Sequence, residues 1–126
     1  MDPHEAIRLS KQGQLHPREM LEHLVAGKVT VPVLDIPVIE NARVTAWQPV
    51  SLSKPDGSRW ITAFTTKELA SAYCDENQIQ TYLDVDTRWV LFALPEAHGI
   101  VFDLGSETMF QWNAAGIAKY IQDVLR

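Results

Sequence analysis

The sequence predicts an α+β fold: a single domain in which a mixed, mostly antiparallel sheet of about five or six strands is flanked by helices. Three observations carry this prediction. Apolar residues alternate at Val29, Val31 and Val33 and again at Ile79, Leu83 and Val85, the two-residue period of a strand with one buried face. They recur three and four positions apart at Ile117, Tyr120, Ile121, Val124 and Leu125, the period of a helix face. Between these patterns lies Lys54-Pro55-Asp56-Gly57, in which proline presets φ and glycine accepts a positive one, so the flanking apolar segments form a hairpin.

The elements follow in order. Asp2, Pro3 and Glu5 make a capping-box pattern that opens a first helix, and Gly13 ends it. Pro17 opens a second helix through about Ala26, with Met20, Leu21, Leu24 and Val25 on one face and Gly27 as the stop. Residues 28–34 read as a strand; Pro32 has no N–H to give, which predicts an edge position. Residues 35–43 carry a further proline and define no element. Strands over 44–52 and 58–64 flank the hairpin turn. Thr65-Thr66-Lys67-Glu68 is a Ser/Thr-x-x-Glu capping box, opening a helix with Leu69, Ala70, Tyr73 and Cys74 on one face. A strand over 79–85 comes next. Asp86 then caps a segment over 87–94 whose continuous apolar run fits either a buried helix or a buried strand. Residues 99–104 and 108–112 predict a second hairpin through Gly105-Ser106, and Asn113 caps the final helix. No repeat or linker divides the chain, so 1–126 reads as one domain: a helical segment 1–27 and a sheet-and-helix body 28–126.

Bulk composition narrows the function. A chain of 126 residues hides roughly two-thirds of its unfolded surface on folding. With 46% hydrophobic and 21% charged residues it is not disordered as a whole. The formal net charge is −5, and the 11 basic residues are scattered. Phosphate-bearing partners need clustered Lys and Arg, so neither nucleic acid nor an anionic membrane is expected, whereas a basic protein partner would be steered toward this surface. Cys74 is alone, so no disulfide forms within the chain. The first residues hold no basic and apolar leader pattern, and the apolar run 89–94 is too short to span a bilayer. Together these predict a cytoplasmic protein.

The order of elements, and three segments in particular, resemble the N-terminal domain of the SseB family, small bacterial proteins found alone or joined to further domains. The first segment is the hairpin running into a capped helix, Asp56-Gly57-Ser58-Arg59-Trp60-Ile61-Thr62-Ala63-Phe64-Thr65-Thr66-Lys67-Glu68-Leu69, which in the family reads DG-apolar-x-x-F-T-S/T-x-E. The second is the apolar segment 89–94 followed by Gly99-Ile100-Val101-Phe102, and the third is the final strand with its amphipathic helix. The likeness covers roughly residues 29–125. Where the family ends its Gly-led strand in an Asn-Pro-Gly-type turn, this chain has Asp103-Leu104-Gly105-Ser106. The resemblance implies a mixed sheet flanked by helices and no established catalysis.

The residues that bear chemistry yield few catalytic signals. His16, Glu19 and His23 match no specific metal motif and read as a solvated helix face. Cys74 lies on an apolar helix face, where a free thiol behaves as a small apolar group. Asp84-x-Asp86 and Asp103 suggest an acid pair, but Asp86 is better used as a cap and Asp103 falls at a turn. Phosphate-cradling glycine loops and the nucleophile-elbow motif are absent from the sequence, so no cofactor and no metal are expected. Of the four tryptophans, Trp89 reads as core. Trp47, Trp60 and Trp112 read as candidate partner-binding residues, since exposed aromatics anchor interfaces. The expectation is a non-enzymatic, SseB-like interaction domain that binds a protein partner at the sheet face and edge near the first hairpin. An immunity protein that neutralises a basic bacterial toxin is one alternative. A small enzyme is another, and it would need a cleft joining His16, His23 or His98 to a carboxylate.

Overall fold

The computed structural model describes every residue but Ile36, and for Arg43 and Thr45 the backbone alone. Its first two helices start where local chemistry dictates. In α1 (Pro3–Lys11) the Asp2 carboxylate accepts the Glu5 N–H at 2.8 Å. Glu5 does not complete the box; it pairs with Arg8 on the same face. In α2 (Pro17–Ala26) the cap is His16, whose Nδ1 accepts the Arg18 N–H at 3.1 Å. Ala6 and Ile7 of α1 and Met20, Leu24 and Val25 of α2 are buried against the sheet.

The sheet corrects one expectation. β1 (Lys28–Val33) pairs antiparallel with β6 (Thr81–Asp86), in register from Lys28↔Asp86 to Val33↔Thr81. Its other side is occupied as well. Thr30 and Phe64 exchange both backbone hydrogen bonds at 2.8 Å, and the Val50 N–H donates to the Pro32 carbonyl at 3.0 Å. β1 is therefore an interior strand, with Thr30 and Pro32 buried along with the valines. Pro32 is tolerated there because its donor-less nitrogen faces isolated bridges rather than a continuous ladder. The edge is β6, which among the described residues pairs only with β1.

The strand expected over 44–52 is two strands. β2 (Val38–Glu40) and β3 (Arg43–Ala46) form their own hairpin, and β4 (Ser51–Ser53) pairs with β5 (Arg59–Ala63). The chain leaves regular pairing between them, where the Trp47 indole N–H is drawn to the Ala93 carbonyl at 3.1 Å and Pro49 has no N–H. The Lys54–Gly57 turn forms as expected, with the Gly57 N–H donating to the Lys54 carbonyl at 2.9 Å and Gly57 at φ 86. β5 also pairs in parallel with β7 (His98–Phe102), and β7 pairs antiparallel with β8 (Phe110–Trp112), giving the order β4-β5-β7-β8.

The long crossover between the parallel strands carries α3 (Lys67–Glu76), β6 and α4 (Thr87–Ala93). The ambiguous apolar run is a helix, with Thr87, Val90 and Leu91 buried. Asp86 stands at its head but makes no side-chain cap bond. α3 is capped by Thr66, one residue later than the expected Thr65, and accepts the Leu69 N–H at 3.2 Å. α5 (Ala114–Tyr120) starts at the expected cap Asn113 and runs into a π-helical turn, Ile121–Leu125. The fold is α+β with a mixed, mostly antiparallel sheet, as the sequence predicts. Ile61, Ala63, Ile100, Phe102 and Trp112 on one sheet face pack with α1, α2, α4 and α5 into the main core.

Candidate binding cleft

The three tryptophans named from the sequence do not form one surface. Trp60 is paired with Gly99 and Trp112 with Ile100, and adjacent strand residues face opposite ways, so the two rings lie on opposite sheet faces. Trp112 is 7% exposed and belongs to the main core, with its ring edge on Tyr120 at 5.3 Å. Trp60 is 8% exposed; its Nε1 donates to Ser58 Oγ at 2.7 Å, and the Lys54 ammonium lies 3.8 Å above its ring. Leu52, Val101, Leu104 and Gln111 surround it in a shallow hollow of about 250 Å³. Trp47 is half-buried, meeting Trp89 edge-on at 4.8 Å.

Two of the three segments that carried the family resemblance meet instead at the end of the sheet. Asp103 closes β7 and is fully buried, with φ at 53. Its carboxylate accepts from the Thr65 N–H at 2.7 Å, the Thr65 hydroxyl at 2.6 Å and the Thr108 hydroxyl at 2.7 Å. Its own N–H donates to the Ala63 carbonyl at 2.8 Å, and its carbonyl accepts from Ser106 at 3.0 Å. Thr65 is thus turned toward Asp103, to which both its donors are committed, and the next residue, Thr66, accepts the cap bond of α3. His4 Nδ1 lies 3.0 Å from Thr65 Oγ1 and 3.8 Å from Asp103 Oδ2. Since the Thr65 proton goes to the carboxylate, Nδ1 is the donor to the Thr65 oxygen and Nε2 is left uncommitted.

Above this node opens a cleft of about 520 Å³. α1 supplies His4, Arg8 and Lys11, the head of α3 supplies Thr66 and Leu69, and the β7–β8 loop supplies Ser106, Glu107 and Thr108. Arg8 is held by Glu5 and Gln12, so Lys11 and Glu107 are the cleft's charges with no ion-pair partner among the described residues. Their opposite signs, with hydroxyls and an imidazole between them, suit a ligand bearing both donors and acceptors. The histidine at the cleft is His4, not His16, His23 or His98. The available signal was the Thr-Thr doublet together with the Asp103–Ser106 turn, 38 positions apart in the Thr65–Asp103 contact.

The other polar candidates have local tasks. His16 caps α2, and the His98 ring is held by the Glu96 carbonyl and Ser51 rather than by a carboxylate. Among the described residues no three His, Cys, Asp or Glu side chains gather closely enough to hold a metal ion. Cys74 is buried, and burial, then the Asp75 charge, pushes its thiol up. Asp84 accepts from the Thr30 hydroxyl at 2.6 Å and pairs with Lys67 at 3.1 Å; the Thr30 bond first, then Lys67, hold it below the usual carboxylate range. No helix among the described residues is long and apolar enough to cross a membrane.

The fold and the cleft thus define a small α+β domain with a polar cleft built where its parallel strand pair ends. The chain belongs to the SseB family: the family's model, the SseB protein N-terminal domain, matches residues 4–119. Comparison with curated proteins and with solved structures finds no match. The matched span holds every residue of the cleft and stops just before Tyr120.

Proposed function

We propose that this domain is a non-enzymatic interaction module that binds a protein partner in the cleft between α1, α3 and the β7–β8 loop. The observation that carries the reading is the Asp103 node. A residue at positive φ, buried and satisfied by three donors, fastens the loop to the head of α3. Backbone held in a sparsely populated region persists where its surroundings over-determine it, and such positions cluster at binding sites. A cleft fixed in advance spares a ligand the cost of ordering it. The net charge of −5 favours encounter with a basic partner.

The hydrogen-bond directions argue against catalysis at the node. A nucleophilic triad needs a hydroxyl that donates to an imidazole oriented by a carboxylate. Here the Thr65 hydroxyl donates to the carboxylate, and the imidazole donates to the hydroxyl.

The test is to capture the partner with the native protein, identify it by mass spectrometry, and measure its affinity for Glu107→Lys and Lys11→Ala. Both variants alter exposed side chains and should keep the melting temperature, and Glu107→Lys should weaken binding of a basic partner tenfold or more, about 1.4 kcal/mol. If neither variant alters affinity while Trp47→Ala does in a folded protein, the docking surface is the tryptophan-bearing hairpin and the cleft assignment is wrong.

A further inference from the structure

The edge strand β6 leaves a row of backbone groups unpaired, and the register says which ones. In an antiparallel pair each residue points its N–H and C=O to the same side, and successive residues alternate. On β1, Thr30 and Pro32 use their groups on the side away from β6: Thr30 bonds with Phe64, and the Pro32 carbonyl accepts the Val50 N–H. Val29, Val31 and Val33 therefore make the bonds to β6, with Val85, Leu83 and Thr81 as their partners. Tyr82 and Asp84 lie opposite Pro32 and Thr30 and turn their own N–H and C=O outward. Among the described residues none of these four groups has a partner.

This edge lacks the usual protections. β6 runs for six residues in unbroken register and contains neither lysine nor proline, whereas the end strands of the four-stranded sheet, β4 and β8, have three residues each. Beside its second half lies an opening of about 570 Å³, with Val44, Val85 and Trp89 as its apolar lining. The two carboxylates of the strand differ in what they are free to do. Asp84 is held by Thr30 and Lys67. Asp86 is exposed, makes no cap bond and has no ion pair among the described residues. Lys28, its opposite on β1, lies one strand further in. A strand added outside β6 would lie about 4.8 Å from Asp86 and roughly twice that from Lys28.

We propose that β6 receives an added strand from a basic protein partner: an extended segment in which lysine or arginine alternates with apolar residues. Its backbone bonds to Tyr82 and Asp84, a basic side chain lies beside Asp86, and an apolar one enters the opening at Val44, Val85 and Trp89. The net charge of −5 draws such a segment in. A second copy of this chain fits the edge less well. The antiparallel register that overlaps the outward residues fully, Tyr82 to Asp86, sets Asp84 against Asp84, and like charges directly opposite are destabilising. The edge and its opening share no residue with the Asp103 cleft, so the two surfaces can be occupied independently.

The experiment titrates the peptide N-acetyl-Lys-Val-Lys-Val-Lys-amide into ¹⁵N-labelled protein and follows the backbone amide signals and their exchange with deuterated solvent. The Tyr82 and Asp84 amides should shift saturably and exchange at least tenfold more slowly in the complex, while those of Leu83 and Val85, already bonded to β1, change little. The peptide's lysine N–H groups are the ones that face β6, so N-methylation at the lysines should abolish binding and N-methylation at the valines should not. Asp86→Asn should weaken binding at least threefold at an unchanged melting temperature, and Lys11→Ala should not weaken it. Tyr82 and Asp84 signals that stay in place overturn the proposal. So do equal losses from the two methylated peptides, or unaltered affinity in the Asp86 variant. Dimerisation of the free protein that protects the same two amides overturns it as well, since a second copy then holds the edge.

Discussion

Asp103 concentrates more of this molecule's organisation than any neighbouring side chain. Removing its carboxylate leaves the Thr65 N–H, the Thr65 hydroxyl and the Thr108 hydroxyl without an acceptor in a buried place. Asp103→Ala is therefore expected to cost about 3–5 kcal/mol in a urea titration, since an uncompensated buried polar site is among the few causes of losses that large. Asp103→Asn should cost only about 1 kcal/mol: asparagine tolerates positive φ, and rotating hydroxyls can accept from its amide. A loss as large in Asn as in Ala would mean the charge, not the bonding pattern, holds the node. Cys74 gives a second residue-level expectation. It is 3% exposed and its thiol is pushed up by burial, so a thiol-alkylating reagent should react with it only as the protein unfolds. Rapid labelling of the native protein at pH 8 would contradict that placement.

Individual elements show where backbone conformation and local sequence disagree. The β2–β3 hairpin turns through Asn41 and Ala42, both at positive φ (52 and 61), the geometry that favours Asn-Gly. Ala42→Gly should raise stability by about 0.5–1 kcal/mol, because relief of strain outweighs the added freedom of the unfolded chain. β7 gives the opposite case. A Cβ on Gly99 would sit 2.5 Å from the Trp60 ring and 2.8 Å from the Trp112 carbonyl, so Gly99→Ala is expected to destabilise by about 1–3 kcal/mol. Asp84 ties the edge strand β6 to Thr30 of β1 and Lys67 of α3. Its folded pKa is lowered, so its contribution to stability is present in full above about pH 4 and is lost as pH falls through the folded value. Asp84→Asn should lower the melting temperature at pH 7, and its difference from the wild type should vanish in acid. A difference that persists unchanged below the folded pKa would assign the effect to packing.

At the scale of the whole molecule the sheet has two unequal faces. One is filled by α1, α2, α4 and α5 and contains Trp112; the other carries Trp60 under the Lys54 side chain. Trp60→Ala is expected to cost about 3–5 kcal/mol, as large-to-small changes at buried aromatics do. Four of the helices, the two hairpins and the caps Asp2 and Asn113 were legible in the sequence because each depends on contacts a few residues apart: Asp2 with Glu5, Asn113 with Gly116, Lys54 with Gly57. The cleft was legible only in pieces. Thr65 looked like a cap and Asp103 like a turn residue, and their joint task appears only when the parallel β5–β7 pairing brings the ends of both strands together.

By itself the sequence determined the fold class, the positions of the helices other than α4, the Lys54–Gly57 hairpin and the family resemblance that residues 4–119 bear out. These rest on period, capping and turn chemistry, which act locally and are written in neighbouring residues. Only the tertiary structure decided that β1 lies inside the sheet, that residues 44–52 divide into two strands, and that Trp60 and Trp112 sit on opposite faces. It alone placed His4, Thr65, Asp103 and Thr108 around one cleft. Strand neighbours and the faces they cover are set by long-range pairing, and a residue's local pattern carries no record of which distant strand will lie beside it.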